Sequence, residues 1–315
     1  MYLKFNLRRK LLVYGLASVA VLPLSVFAAA QHDGSSAQPL RVILVPADGG
    51  TEDGTKKDFV PIFNAITRAT GLKFDIKVGQ SYGAVMEAQC AGAADIAFYG
   101  PASYLPVHRK GCANLLALAV KHNESVYYSG LFARTDAGID TIKDVKGKRL
   151  ALGDLNSTSS FAVPVAMMID GGVNPSQEAG AINLAGSHAN VLKALAEGVA
   201  DIGGASFDSY EKAVNQKAID PTKIKVIKKS APIPYPPLAI HPGVPAKVQA
   251  QLRDAFERVH ELPGVTPDQI RGYGGAKVDR YTTKVSEEEM AAAAKMFALV
   301  TDQIKQDIIK KASAR

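Results

Sequence analysis

A chain of 315 residues, 47% hydrophobic and 21% charged, has the length for two α/β domains and too much apolar content for a disordered protein. Its formal net charge of +7 rests on 37 basic against 30 acidic residues, and four of those cations fall within the first ten positions. The rest is only weakly basic. Its densest run (Lys223, Lys225, Lys228, Lys229) reads as the solvated side of a strand, so no nucleic-acid surface is expected.

Lys4, Arg8, Arg9 and Lys10 precede an apolar run from Leu11 to Phe27 and then Ala28-Ala29-Ala30, and the first acid is Asp33. This is the order of a secretory signal peptide over 1–30, cleaved near Ala30. An uncleaved anchor is the alternative, but the run is short for the roughly 20 residues that span a bilayer, and Pro23 interrupts it. No cysteine lies at the cleavage site to carry a lipid. The expected product is a soluble monomer in the periplasm.

After a polar spacer, "RVILVP" at 41–46 reads as a buried strand. A Gly-rich loop with Thr51, Glu52 and Asp53 leads to a helix with Phe59, Ile62, Phe63 and Ile66 on one face, ended by Gly71. "KFDIKVG" alternates as a strand, "SYGAVMEAQCAG" is a helix, and "ADIAFYG" a strand. "PASYLPVHRKG" opens on proline and closes on glycine, as helices do. "ANLLALAV" and "VYYSGLFAR" add two strands. Cys90 and Cys112, 22 residues apart, are the only cysteines. In an exported chain the default is one disulfide, which would stabilise by roughly 3 kcal/mol on the chain-entropy model. A thiol pair for a soft ligand such as arsenite, or two buried free thiols, are the other readings. Paired histidines are missing, so no zinc site or other metal or cofactor is expected.

A second cycle begins near 136. A strand at 149–152 is followed by the helix "STSSFAVPVAMMIDGG", in which Pro164 fits poorly. "AINLAG", "SHANVLKALAEG", "ADIGGAS", "FDSYEKAVN" and "KIKVIKK" continue as strand, helix, strand, helix, strand. "EAQCAGAADIAFYG" and "KALAEGVADIGGAS" echo each other, one architecture used twice. The segment "SAPIPYPPLAIHPGVP", with six prolines in sixteen residues, reads as an extended crossing. Helices near 245–261 and 286–311 follow. Alternating strands and helices imply two doubly wound, mainly parallel sheets. Lobe one is placed at 39–135 plus 237–315 and lobe two at 136–236, joined by two crossings that form a hinge beside a cleft.

The chemistry gathers at "GDLNSTSSF", 153–161, where a strand end meets a helix start. Unpaired amides and the dipole make such a helix start an anion cradle, and Ser157, Thr158 and Ser159 add three hydroxyls. Ordinary N-capping needs only one of them. A Ser157–His188–Asp208 triad is the enzymatic alternative, but no G-x-S-x-G elbow surrounds the serine. No enzymatic activity is expected.

With "ADIAFYGPASY" (94–104), "IKDVKGKRLALGDLNSTSSF" (142–161), "SHANVLKALAEGVADIG" (187–203) and the Pro-rich return to "PLAIHP", the chain resembles the periplasmic phosphonate-, phosphite- and phosphate-binding components of ABC importers. The resemblance implies a two-lobed type II binding-protein fold, with a small oxyanion in the cleft and a membrane permease as partner. Matched to the family's motif, Ser157, Thr158 and Ser159 would hold the oxyanion. Tyr99 and Tyr104 would border the cleft from lobe one, His188 would reach it from the next helix start, and Asp208 would face the ligand. Ser160 stands where the family often has glycine, which touches the fine choice of anion. Arsenite or a sulfonate as ligand, and a membrane kinase as partner, remain the competing assignments.

Overall fold

The computed structural model describes Met1, residues 32–48 and 52–314. The expected signal peptide lies outside the described residues except for Met1, as does Thr51 of the Gly-rich loop, and the side chains of Glu52 and Asp53 are likewise not described.

In chain order the first lobe begins with β1 (Leu40–Leu44), α1 (Lys57–Thr70), β2 (Phe74–Val78), α2 (Tyr82–Cys90), β3 (Ile96–Phe98), α3 (Pro101–Arg109) and β4 (Asn114–Val120). The short β5 (Val126–Tyr127) leads out of it. Next come β6 (Ser129–Arg134), β7 (Arg149–Gly153), α4 (Val163–Asp170), α5 (Pro175–Glu178), β8 (Ala181–Gly186), α6 (His188–Ala196), β9 (Ile202–Ser206), α7 (Phe207–Asn215) and β10 (Ile224–Lys229). The short β11 (Ile233–Pro234) precedes β12 (Leu238–Ile240), α8 (Ala246–Arg258), β13 (Arg280–Thr282), α9 (Glu287–Ala292) and α10 (Asp302–Ser313).

Two sheets result, ordered β13-β4-β12-β3-β1-β2 and β10-β6-β9-β7-β8. In each, the pairs made by local β-α-β units are parallel: β1 with β2 and β3, and β7 with β8 and β9. Strands that arrive from across the molecule run the other way, β12 against β3 and β4, and β6 against β9 and β10. Each sheet has its own core. Phe59, Ile62, Phe63 and Ile66 of α1 bury their face against the first, with Phe63 edge-on to Phe256 at 6.0 Å. Leu131, Leu150, Leu152, Phe161 and Ile182 centre one cluster of the second. Gly71 ends α1 at φ 77°, a left-handed turn that glycine adopts without steric cost.

The crossings are β5 and β11, paired antiparallel with Tyr127 opposite Ile233 and Val126 opposite Pro234. The sheet topology therefore moves two expected boundaries. Residues 129–134, expected in lobe one, form β6 in the second sheet, because their partners β9 and β10 come much later in the chain. Residues 286–311, expected as one lobe-one helix, divide at Thr301, whose hydroxyl caps α10. Glu287 of α9 stays with lobe one, accepting from the Tyr104 hydroxyl at 2.7 and 2.9 Å and from the Leu115 amide at 3.2 Å. Beyond the break, α10 buries Ile308 in the second lobe's core beside β8 and is a third link between the lobes. Cys90 and Cys112 lie 2.05 Å apart as a disulfide, joining the end of α2 to the turn before β4. No described helix is long and apolar enough to cross a membrane.

Candidate functional site: the cleft between the sheets

Five helical segments start at the cleft, each behind a small residue: Ser81 before α2, Gly100 before α3, Ser157, Ser187 before α6 and Ser206 before α7. Each start carries a partial positive charge, although several of its amides are already paired, among them Ala102 to Thr158 Oγ1 and His188 to the Ala47 carbonyl, so the cleft favours an anion without a cationic side chain. The residues lining its small cavity include no Lys or Arg among the described residues. With the lobes together it holds about 10 Å³, the room of about one water, far below the about 300 Å³ or more of a drug-sized site.

The segment after β7 is built for close approach. A Cβ on Gly153 would collide with the Ser160 hydroxyl, so glycine there lets the helix fold back over the strand end. The first turn, Thr158–Ala162, is a wide π-turn running into α4. Pro164 sits directly after it, in the first turn of α4, where its missing amide is least costly. Ser157 Oγ accepts from the Ser160 amide at 3.2 Å and from the Ser160 hydroxyl at 2.7 Å. Both its acceptor positions are thus used, and its proton is left to point elsewhere. Ser160, the departure from the family pattern, serves to orient Ser157.

His188 begins α6. Its Nδ1 accepts the Ser206 amide at 3.0 Å, which assigns the proton of the neutral ring to Nε2. Burial holds the ring neutral, its pKa pushed down to about 4 against an opposing pull from Asp48. Nε2 stands 3.4 Å from Ser157 Oγ, whose acceptor capacity is already filled. The contact is long, and both the ring N–H and the serine hydroxyl can turn to an acceptor that enters the cavity.

The remaining expected residues divide. Thr158 lines the cavity, but its Oγ1 accepts the Ala102 amide at 2.8 Å and so clasps the first lobe. A Cβ on Gly100 would come within 2.7 Å of that oxygen, so glycine permits the approach. Ser159 lines the cavity while its carbonyl accepts from the Ser129 hydroxyl at 2.7 Å. Tyr99 borders it, yet its hydroxyl is turned to Gln89 Oε1 at 2.8 Å. Tyr104 is not in the lining: its hydroxyl is held by Glu287 and its ring stacks on His108 at 5.5 Å. Asp208 is not in the lining either. It backs onto Gly274, whose added Cβ would meet it at 3.2 Å, and burial pushes its pKa up to about 6 with Lys121 opposing.

Three tyrosines that the sequence reading passed over complete the wall. Tyr82 sits with its hydroxyl beside Ser157, and Tyr127, on the hinge strand, with its hydroxyl beside Ser159 and Thr158. Tyr273 lies edge-on to His188 at 5.8 Å. Burial raises all three phenols above their ordinary range, so each stays a neutral donor. Val45, Ala47, Phe98 and Pro236 supply the apolar remainder. The only sequence signal for Tyr273 was its setting between glycines in "RGYGGA".

The phosphate-import protein of Mycolicibacterium smegmatis is 28% identical over 230 residues, 70% of this chain and 71% of that protein. The phosphonates-binding periplasmic protein of Escherichia coli is 23% identical over 258 residues, 80% of this chain and 75% of that one. Among solved structures, a Prochlorococcus marinus protein in complex with methylphosphonate superposes with a TM-score of 0.68 at 14% identity, over 83% of this chain and 97% of that one. The family described as "ABC transporter, phosphonate, periplasmic substrate-binding protein" matches residues 49–278. The chain belongs to that family of periplasmic substrate-binding proteins.

Proposed function

We propose that the protein holds one small phosphorus oxyanion, phosphate, phosphite or methylphosphonate, between Ser157, Ser159, His188 and the tyrosine hydroxyls, and delivers it to the permease of an ABC importer. The observation that carries the reading is the pair of donors, Ser157 O–H and His188 Nε2–H, in a small buried cavity. The names of the relatives agree with it: one imports phosphate, one binds phosphonates, and one was solved with methylphosphonate. Export after cleavage near Ala30 and action as a monomer belong to the same reading.

Asp208 has a smaller part in this account than the family motif implies. With its carboxyl outside the lining, no acid among the described residues waits there for the ammonium of an aminoalkyl phosphonate. Calorimetry on the mature protein with phosphate, phosphite, methylphosphonate, aminoethylphosphonate, sulfate and arsenite tests the assignment. Phosphate, phosphite or methylphosphonate should bind tightest, with aminoethylphosphonate at least tenfold weaker than the best. Asp208→Asn should leave that order intact. Tight sulfate or arsenite binding with no response to any phosphorus anion overturns it.

A further inference from the structure

Away from the cavity, on the same cleft, lies a buried ion cluster that needs both lobes. Lys212 Nζ, on α7, is 2.7 and 3.0 Å from the two oxygens of Asp58 and 3.2 Å from Asp48 Oδ2. Asp48 and Asp58 belong to the first lobe. Side-chain exposures of 14% for Lys212, 5% for Asp48 and 7% for Asp58 place all three out of bulk water.

The cluster is continuous with the anion-facing histidine. The Ser206 amide donates to His188 Nδ1 at 3.0 Å, and the Ser206 hydroxyl donates to Tyr273 Oη at 3.1 Å. Tyr273 Oη is 2.8 Å from Ser209 Oγ, which donates to Asp48 Oδ1 at 2.7 Å. From Ser206 to Asp58 every successive link crosses from one lobe to the other, through Tyr273, Ser209, Asp48 and Lys212. A chain of this kind can be complete only when the lobes are together.

We infer that Lys212 sets ligand affinity without touching the ligand: with Asp48 and Asp58 it is the latch that holds the lobes shut, coupled through Ser209 and Tyr273 to His188. With Lys212 removed, two carboxylates remain buried without their cation, a penalty that falls on the closed form alone. When the lobes part, all three groups regain water and the substitution costs little. The open fraction rises and apparent affinity falls in proportion to the closed fraction lost. Burial already pushes the Asp58 carboxyl up to about 6, with Lys212, and more weakly Arg271, pulling down and Asp48 pushing up. Without the ammonium Asp58 should take up a proton more readily still.

The inference rests on the cleft reading above, and the experiment separates the two. Full-length mature wild type, Lys212→Met and Lys212→Arg are compared by small-angle scattering without added anion. The same three proteins are then followed by stopped-flow and calorimetry with phosphate and with methylphosphonate. Lys212→Met should be less compact and bind at least tenfold more weakly, mostly through faster dissociation, while Lys212→Arg stays near wild type. Lowering pH from about 7.5 to about 5.5 should narrow the gap between Met variant and wild type, as the orphaned Asp58 protonates. His188, Asp208 and Tyr273 face the same cluster but are present in both proteins, so the ratio removes their contribution. Equal radii together with equal dissociation rates overturn the latch, as does a loss that neither arginine nor acid repairs. If neither anion binds wild type, the assignment of the ligand fails, and the scattering alone decides the latch.

Discussion

On the second-lobe side of the cleft the polar groups lining the cavity come from helix starts, Ser157 and Ser159 at one and His188 at another. On the first-lobe side they are ring hydroxyls and apolar atoms drawn from segments as far apart as Val45, Tyr82 and Tyr273. The first kind of wall is pre-organised by backbone: a cap, two amides and a fixed tautomer leave little to arrange when the ligand arrives. The second kind depends on packing, since its hydroxyls are placed by rings that must stack correctly on one another, Tyr127 on Tyr273 at 6.0 Å and Phe98 on Tyr273 at 5.9 Å. Affinity should therefore be concentrated on the helix-start side, with selectivity for substituent size on the other.

The largest expected effect concerns His188. Its folded pKa is lowered from 6.5 to about 4, so the unfolded chain binds the extra proton first as pH falls. Stability from this group is present above about 6.5 and lost as pH falls toward 4, by roughly 3 kcal/mol at the limit. Asp58 and Asp208, both raised to about 6, act in the opposite direction as pH falls. The measurement is therefore a difference: denaturant unfolding of wild type and His188→Gln at pH 7.5 and 5. The wild type should lose more on acidification than the variant, and equal losses would show that the ring is not held neutral.

Ser157→Ala comes next. It removes one donor to the anion, roughly 1.5–3 kcal/mol or ten- to a hundredfold in affinity. It also removes a helix cap worth about 1 kcal/mol of stability. Calorimetry and thermal unfolding should report both losses together. A loss of stability alone would move the grip away from Ser157. The smallest effect is expected on the first-lobe side, where Tyr82→Phe deletes one neutral hydroxyl beside Ser157. That should cost about 1 kcal/mol, roughly fivefold in affinity by calorimetry. A loss as large as that of Ser157→Ala would erase the asymmetry between the walls.

The same asymmetry explains what could be read from the sequence. Ser157, Thr158 and Ser159 are contiguous at a strand-to-helix junction, so their chemistry is local and visible as a motif. His188 was visible because it directly follows a cap, Ser187. Tyr82, Tyr127 and Tyr273 sit in no local motif, and only the meeting of three distant segments gives them a cavity to face. Tyr104 and Asp208 mislead in the reverse sense: a motif fixes their place in the chain, while the presence of Glu287 and Gly274 beside them depends on residues far downstream. The fold shows the same limit. Strand and helix periodicity was legible through both lobes, but "SGLFAR" carries no mark saying which sheet it will join. The amphipathic face of α10, with Ile304 and Ile308, likewise does not announce which lobe it will cover.

That last helix has a consequence for the order of assembly. The second lobe's core includes Val300 and Ile308, while its first strand begins at Ser129, so it is sealed by residues more than half the chain apart. Such distant closure pays its loop entropy before contacts repay it, and it slows folding. Until that last helix arrives, the half-built lobe lacks the piece that would lock it.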